Sequence, residues 1–392
     1  MIAGVPACDP HPIKPSYWLR AILLDTRYDR ITPKIPPSSR PLRWRPRHRR
    51  FAGWLQGNHG RTACDQPRQD GLAVPDLPEI ATVFATGGSG FLGAHCLQAL
   101  VRHGFRVHAA SRTRHGAAAD GITWHDVDLH VRGAVEQLMR ALRPSHLLHL
   151  AWITTPNRYR CAPENLDWLE ASLALVRSFG EQGGQRFVGV GSSAEYGRAT
   201  SPCAEEATPI RPASLYGQCK AACWMATEAY ALRYGFSAAW ARVFLPYGPG
   251  DDPQRLIPSL LAALAAGTPI DVTDGSQVRD FVHVTDIAEL LGRLLAMPQA
   301  KGAFNVGTGR GITVRQVIER AADHFHAREL VRFGARPQRD DEALSLIADM
   351  AKVQRVCHWR AATSLEDGLE RLLLEASSAA PKPSRGGVAC AS

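Results

Sequence analysis

The chain has no run of about 18 consecutive apolar residues, so no segment reads as a membrane-spanning helix. Its nine cysteines form no Cys-x-x-Cys pair, and the nearest two, Cys219 and Cys223, stand one helical turn apart. Free thiols in a reducing cytoplasm fit that spacing, and no metal is expected. The amino terminus lacks the apolar core of a secretory signal. No internal repeat is evident. What remains is a 392-residue chain, 45% apolar and 21% charged, which excludes disorder throughout and is long enough for two lobes.

Charge is unevenly placed. Residues 1–78 carry 13 Lys or Arg against 6 Asp or Glu, a net +7 of the chain's +9, which leaves the rest near neutral at +2. That segment contains "TPKIPPSSRPLRWRPRHRR" and has no sustained apolar period, so it reads as a disordered basic extension. Its arginines resemble those of a transit peptide, although the prolines and acids oppose an amphipathic helix. Loose binding to nucleic acid or anionic lipid, and a start codon set too far upstream, stand as alternatives; no specific nucleic-acid partner is expected. Residues 377–392 read as a loose tail.

From residue 79 short apolar runs alternate with helical patterns: a run at His146–Ala151, a helix near Pro163–Gln182, a run at Arg186–Gly191. Such alternation calls for an α/β fold, a doubly wound parallel sheet of Rossmann type with ligands at the carboxyl edge of its strands. The first turn is "TGGSGFLG", where Gly87, Gly90 and Gly93 separate the apolar stretch Ile80–Ala85 from helically spaced Leu92, Cys96 and Leu100. A helix start exposes unpaired N–H groups and the positive end of the macrodipole, so glycines that admit a pyrophosphate to the backbone make an anion site. The spacing is one residue longer than Gly-x-Gly-x-x-Gly, and an ordinary turn with three glycines is the alternative. Phe91 and Leu92, at the helix start, and Leu150 and Ala151, at the end of the later run, are expected to line the same dinucleotide site.

The second run, Phe105–Ala110, ends in Ser111-Arg112-Thr113-Arg114, with no acid before Asp120. A carboxylate there would hold the ribose hydroxyls of NAD; arginine suits a 2′-phosphate, so NADP(H) is favoured and NAD(H) is the alternative. An exposed loop arginine is the plainer reading. Asp128 suits either the adenine amino group or a turn.

After the run "RFVGV" come Ser192, Ser193, Ala194 and Glu195, and 24 residues past Ser192 comes Tyr216, with Lys220 four further on. Tyrosine and lysine at that spacing share one helix face. An ammonium beside a phenol favours the phenolate and draws its pKa down from about 10, which makes Tyr216 a candidate acid–base group with Ser192 hydrogen-bonding the same substrate oxygen. Any amphipathic helix can show Tyr-x-x-x-Lys; behind a glycine-rich turn and a strand-end serine the pattern is specific.

Together these residues resemble the extended short-chain dehydrogenase/reductase superfamily, in its nucleotide-sugar epimerase, dehydratase and reductase branch. The resemblance runs from residue 80 to about 375 and includes "HLLHLAW", "RVFLPYGPG", "GSQVRDFVHVTDIA", "FNVGTG" and "LEDGLERLL". It implies a dinucleotide domain at 79–245 to which 282–300 returns, a smaller carboxyl-terminal substrate lobe at 246–281 and 301–376, and a homodimer. It implies catalysis by Ser192, Tyr216 and Lys220, with Tyr216 and Lys220 also touching the cofactor. Arg279 is implied to bind the diphosphate of a nucleotide-diphosphate sugar; a salt-bridged loop arginine is the alternative. Two departures matter. The dehydratases of the branch carry an acidic pair where this chain has Ser193 and Ala194, so dehydration is disfavoured, with Glu195 one place on as a partial substitute and Ser193 as a substrate contact. Leu245 replaces a frequent asparagine. The expected reaction is hydride transfer at sugar carbon 4: reduction of a 4-keto-6-deoxy sugar by NADPH, or 4-epimerisation with tightly held NAD. A dinucleotide-binding regulatory protein is the alternative of another class; such proteins commonly lack the tyrosine–lysine pair.

Overall fold

The computed structural model describes residues 80–112, 121–199, 202–339 and 342–379; the expectations for residues 1–78, Arg114 and residues 380–392 lie outside them. Strands β1 (Thr82–Thr86), β2 (Arg106–Ser111), β3 (Ile122–Asp126), β4 (His146–His149), β5 (Arg186–Ser192) and β6 (Ser237–Val243) alternate with helices α1 (Phe91–Arg102), α2 (Arg132–Leu142), α3 (Glu164–Glu181) and α4 (Leu215–Tyr234). There follow β7 (Leu245–Tyr247), α5 (Leu256–Ala265), β8 (Ile270–Asp271), β9 (Val278–Arg279), β10 (Phe281–His283), α6 (Val284–Ala296), β11 (Gly302–Val306) and β12 (Ile312–Thr313). The remaining elements are α7 (Val314–His324), β13 (Val331–Arg332), β14 (Ser345–Leu346), α8 (Ala351–Cys357) and α9 (Leu365–Ala379).

Seven strands form one parallel sheet in the order β11-β6-β5-β4-β1-β2-β3. One face packs with α1 and α6 through residues such as Val83, Ala85, Leu97 and Leu291; the other packs with α2, α3 and α4 through Phe84, Leu147, Leu175 and Trp240. This is the doubly wound architecture. Chain direction through the sheet reverses between β1 and β4, and such a switch leaves a crevice beyond the carboxyl ends of those strands.

Local chemistry explains the central strands. All of β5 up to Gly191 is buried, and its glycines make room for Trp240 on β6: a Cβ at Gly189 would lie 2.4 Å from the indole, and one at Gly191 only 2.1 Å from its Nε1. At the start of α4 the Ser214 hydroxyl accepts the Gly217 N–H at 3.2 Å, and Gly235, in the left-handed region at φ 80°, ends the helix. A third core joins α5, α7 and α9 through Leu260, Ile318 and Leu369.

The substrate lobe drawn at 301–376 needs correction. Residues 302–306 form β11, the edge strand of the main sheet beside β6, and α8 packs on that strand. The segment is short, with Phe304 and Val306 fully buried, as a strand covered on both faces requires.

Candidate active site

A cavity of about 650 Å³ opens at the switch point. Its first wall is the turn between β1 and α1. Gly87 sits at φ +69°, and a Cβ there would come within 2.7 Å of Ala151 N, so the turn can lie against β4 only without a side chain. Gly93 is tighter: its Cβ would fall 2.1 Å from Gly87 O. A Cβ on Gly90, the N-cap of α1, would meet only Gly87 O at 3.4 Å and would project into the cavity. The turn is therefore a cradle that a side chain would fill, open toward a helix start, and it fits a dinucleotide pyrophosphate. Thr86, fully buried, locks the opposite strand: its hydroxyl accepts the Leu150 and Ala151 N–H groups and pairs with His149 at 2.7 Å.

Gly87, Gly90, Phe91, Leu92, Gly93, Ser111, Arg112, Asp128, Leu150 and Ala151 all line this cavity. Asp128 also accepts the His130 N–H at 3.0 Å, and that bond, helped by the His130 ring and by Arg112, holds its carboxyl below the usual range against the effect of burial. It is thus a turn residue as well as a cavity residue.

The reactive end lies where β5 stops. Ser192, Ser193, Tyr216 and Lys220 line the cavity, and the Ser192 hydroxyl draws the Tyr216 phenol pKa down. The expected lowering of the phenol pKa is not what the site delivers: burial pushes Tyr216 above its ordinary value. Lys220 is engaged elsewhere, donating to Val190 O at 2.7 Å with its ammonium 4.0 Å from the Trp152 ring centre, and burial brings it down to about 8.

Glu195 does not line the cavity. It is fully buried, accepts the Ser192 N–H at 2.8 Å and the Trp240 Nε1–H at 2.9 Å through one oxygen, and pairs with Arg242 at 2.8 Å through the other. Ser192 Oγ accepts the Ala194 N–H in return, so Glu195 closes a capping box around the 3-10 turn 193–196. Its role is to hold the backbone of Ser192; the reading of Glu195 as a substrate contact is corrected on that geometry.

The far wall comes from the carboxyl-terminal half. Arg279 reaches the cavity tied to Glu342, 2.7 Å away, and Arg339 approaches the same carboxylate at 3.5 Å. Sequence reasoning missed these two partners, and also Trp152, Tyr159, Arg160, Asp251 and Arg255, which line the cavity as well. They sit in loops with no periodic pattern. Only Arg255 left a trace in the sequence: a basic residue at the start of a helix, where the dipole disfavours one.

A Rossmann sheet with a serine, a tyrosine and a lysine gathered beside a dinucleotide cradle defines an extended short-chain dehydrogenase/reductase. The profile of the NAD dependent epimerase/dehydratase family matches residues 83–307, and the chain belongs to that family. It is 27% identical over 331 residues to UDP-glucose 4-epimerase 4 of Oryza sativa subsp. japonica, covering 73% of this chain and 87% of the relative. Among solved structures, the UDP-glucose 4-epimerase of Thermus thermophilus in complex with NAD is 28% identical, covers 76% of this chain and 100% of its own, and superposes with a TM-score of 0.67. MoeE5 in complex with UDP-glucuronic acid and NAD is 29% identical, covers 74% and 97%, and gives 0.66. Among the described residues no helix is long and apolar enough to cross a membrane, and no cluster of three potential metal ligands occurs.

Proposed function

We propose that the protein is a nucleotide-sugar 4-epimerase that moves a proton and a hydride at one sugar carbon. The observation that carries this reading is that Ser192 and Tyr216 line one cavity with the glycine cradle and Arg279, with no carboxylate at positions 193 and 194 to drive loss of water. The named 4-epimerases among its relatives support it over nearly their whole length. A nicotinamide dinucleotide held on Gly87, Gly90 and Gly93 would supply the hydride chemistry. Tyr216 takes the proton from the sugar hydroxyl and returns it, Ser192 fixes that oxygen by a second hydrogen bond, and Arg279 anchors the diphosphate through its planar fork once Glu342 yields it. Tyr159 packs edge to face on the Tyr216 ring, with ring centres 4.9 Å apart.

One observation favours a second reading. Arg112 lines the cavity at the end of β2, where a 2′-phosphate would lie, and this suits an NADPH-dependent 4-ketoreductase. The two differ in bookkeeping of the cofactor: epimerisation consumes none, reduction oxidises one NADPH per product. Incubation with UDP-glucose, UDP-galactose and 4-keto-6-deoxy nucleotide sugars, followed by product separation and absorbance at the nicotinamide band, distinguishes them. Tyr216→Phe is expected to lose about 10²–10⁴-fold in turnover while dinucleotide affinity stays within a few fold. Turnover within three-fold of the parent would remove Tyr216 from the chemistry.

A further inference from the structure

Arg255 is the N-cap residue of α5, a cation at the positive end of a helix dipole, and its side chain makes no capping bond there. It crosses the cavity instead. A terminal guanidinium nitrogen donates to Thr154 O at 3.1 Å, Nε pairs with Asp251 at 3.3 Å, and the guanidinium carbon lies 5.9 Å from the Tyr159 ring centre. Tyr159 in turn meets Tyr216 edge to face, with ring centres 4.9 Å apart, and the next carbonyl, Arg160 O, accepts the Tyr216 N–H at 3.1 Å. Behind them the buried Asn165 amide donates to Tyr159 O at 2.6 Å and to Ala162 O at 2.8 Å, so the segment carrying Tyr159 is pinned on both sides.

We propose that Arg255, held by Asp251 and seated against Tyr159, is a positioning residue that holds the Tyr159 ring against Tyr216, so fixing the orientation of the Tyr216 ring, and adds a positive charge on that side of the site. The proposal rests on the reading of Tyr216 as the acid–base group, whichever of the two reactions it serves. The groups that face Tyr216 are Tyr159 and Arg160 from the segment after β4, Ser192 and Glu195 from the turn after β5, Lys220 from its own helix, and Arg255. Burial raises the phenol most; Tyr159 and Glu195 raise it further, while the Ser192 hydroxyl and, least, the Arg255 charge oppose them. Lys220 is committed to Val190 O and Trp152. A cation stabilises the phenolate, so its loss moves Tyr216 ionisation to higher pH.

The test uses the full chain as parent, Arg255→Met and Arg255→Lys, with two readouts. One is the pH profile of kcat on a nucleotide sugar. The other needs no substrate: difluorotyrosine, whose ionisation lies near neutrality, is placed at position 216 and titrated by fluorine NMR. Arg255→Met is expected to lower kcat by about 10–100-fold with KM within three-fold, and to move both the acid limb of kcat and the fluorine midpoint upward by roughly several tenths of a pH unit. Arg255→Lys keeps the charge and should restore the midpoint, yet leave kcat reduced, because a lysine cannot span Thr154 and Asp251 as a guanidinium fork does. A fluorine midpoint unmoved in Arg255→Met overturns the proposal, and so does an Arg255→Lys that titrates like Arg255→Met. A chain inactive on every nucleotide sugar sinks the proposed activity and still leaves the titration to decide the role of Arg255.

Discussion

The two walls of the cavity are built from different materials. The cofactor wall is mostly backbone: Gly87 and Gly93 leave no space for a Cβ, and Thr86 ties the turn to Leu150 and Ala151 through main-chain N–H groups. The wall proposed for the sugar nucleotide is mostly long side chains, Arg255 beside Asp251 at the start of α5 and Arg279 on Glu342 from β9, each paired with a carboxylate of the same chain. Backbone geometry is rigid and tolerates almost no substitution. Ion pairs lining a cavity can exchange one anion for another, which would suit the proposed diphosphate.

The contrast breaks most sharply at Gly93. Placing a methyl 2.1 Å from Gly87 O and 2.7 Å from Gly88 forces the turn off β4. Gly93→Ala is expected to destabilise the chain by more than about 4 kcal/mol, and any folded fraction should lose dinucleotide binding at least a hundred-fold. Thermal unfolding and cofactor titration measure both. A variant that melts and binds like the parent means the turn can open, and the cofactor wall is then no more rigid than its counterpart.

Glu195 comes next, buried behind the strand end that carries Ser192. Glu195→Gln leaves the Arg242 guanidinium, itself buried, without its counter-charge, and removal of one partner of a buried pair costs about 3–5 kcal/mol. Because Gln retains one acceptor for the Ser192 N–H or the Trp240 indole, the lower end of that range is expected. Denaturant unfolding reads the stability. The same variant separates holding from chemistry: if Glu195 worked on substrate, activity in the surviving folded fraction would fall far more than stability.

How much of this was legible beforehand follows from the same division. The parallel sheet and the cradle were readable because burial on both faces writes continuous apolar runs, and close backbone approach writes glycine at Gly87 and Gly93. Runs at His146–Ala151 and Arg186–Gly191 became β4 and β5 within two residues at each end. Tyr216, Lys220 and Ser192 were legible as a spaced pattern, yet the partner that Lys220 takes was not, since Trp152 lies 68 positions away and only the fold brings its ring beneath the ammonium. Glu195 was misplaced for a related reason. A carboxylate beside an active-site serine looks like chemistry until Trp240 and Arg242 are seen to surround it. Arg339 and Glu342 carried no periodicity, and β11 was assigned to the wrong lobe because a five-residue strand has the same signature in either place.

The smallest expected effect concerns Arg112, a cation on the cofactor wall. It lines the cavity beside Ser111 and lies close enough to Asp128 to help hold that carboxyl ionised, so a charge balance exists there before any ligand is considered. A 2′-phosphate would add about two negative charges against this arginine, whereas the two ribose hydroxyls of NAD add none. Arg112→Asp should therefore weaken NADPH by about ten-fold, or 1.4 kcal/mol, and change NADH by less than three-fold. The shift should shrink as salt is raised from about 10 mM toward roughly 0.5 M, because contacts at an open cavity mouth are screened. Titrating both cofactors against parent and variant at two ionic strengths decides the matter. An unchanged NADPH-to-NADH ratio would place the Arg112 side chain off the ribose and remove the one observation that favours the ketoreductase over the epimerase.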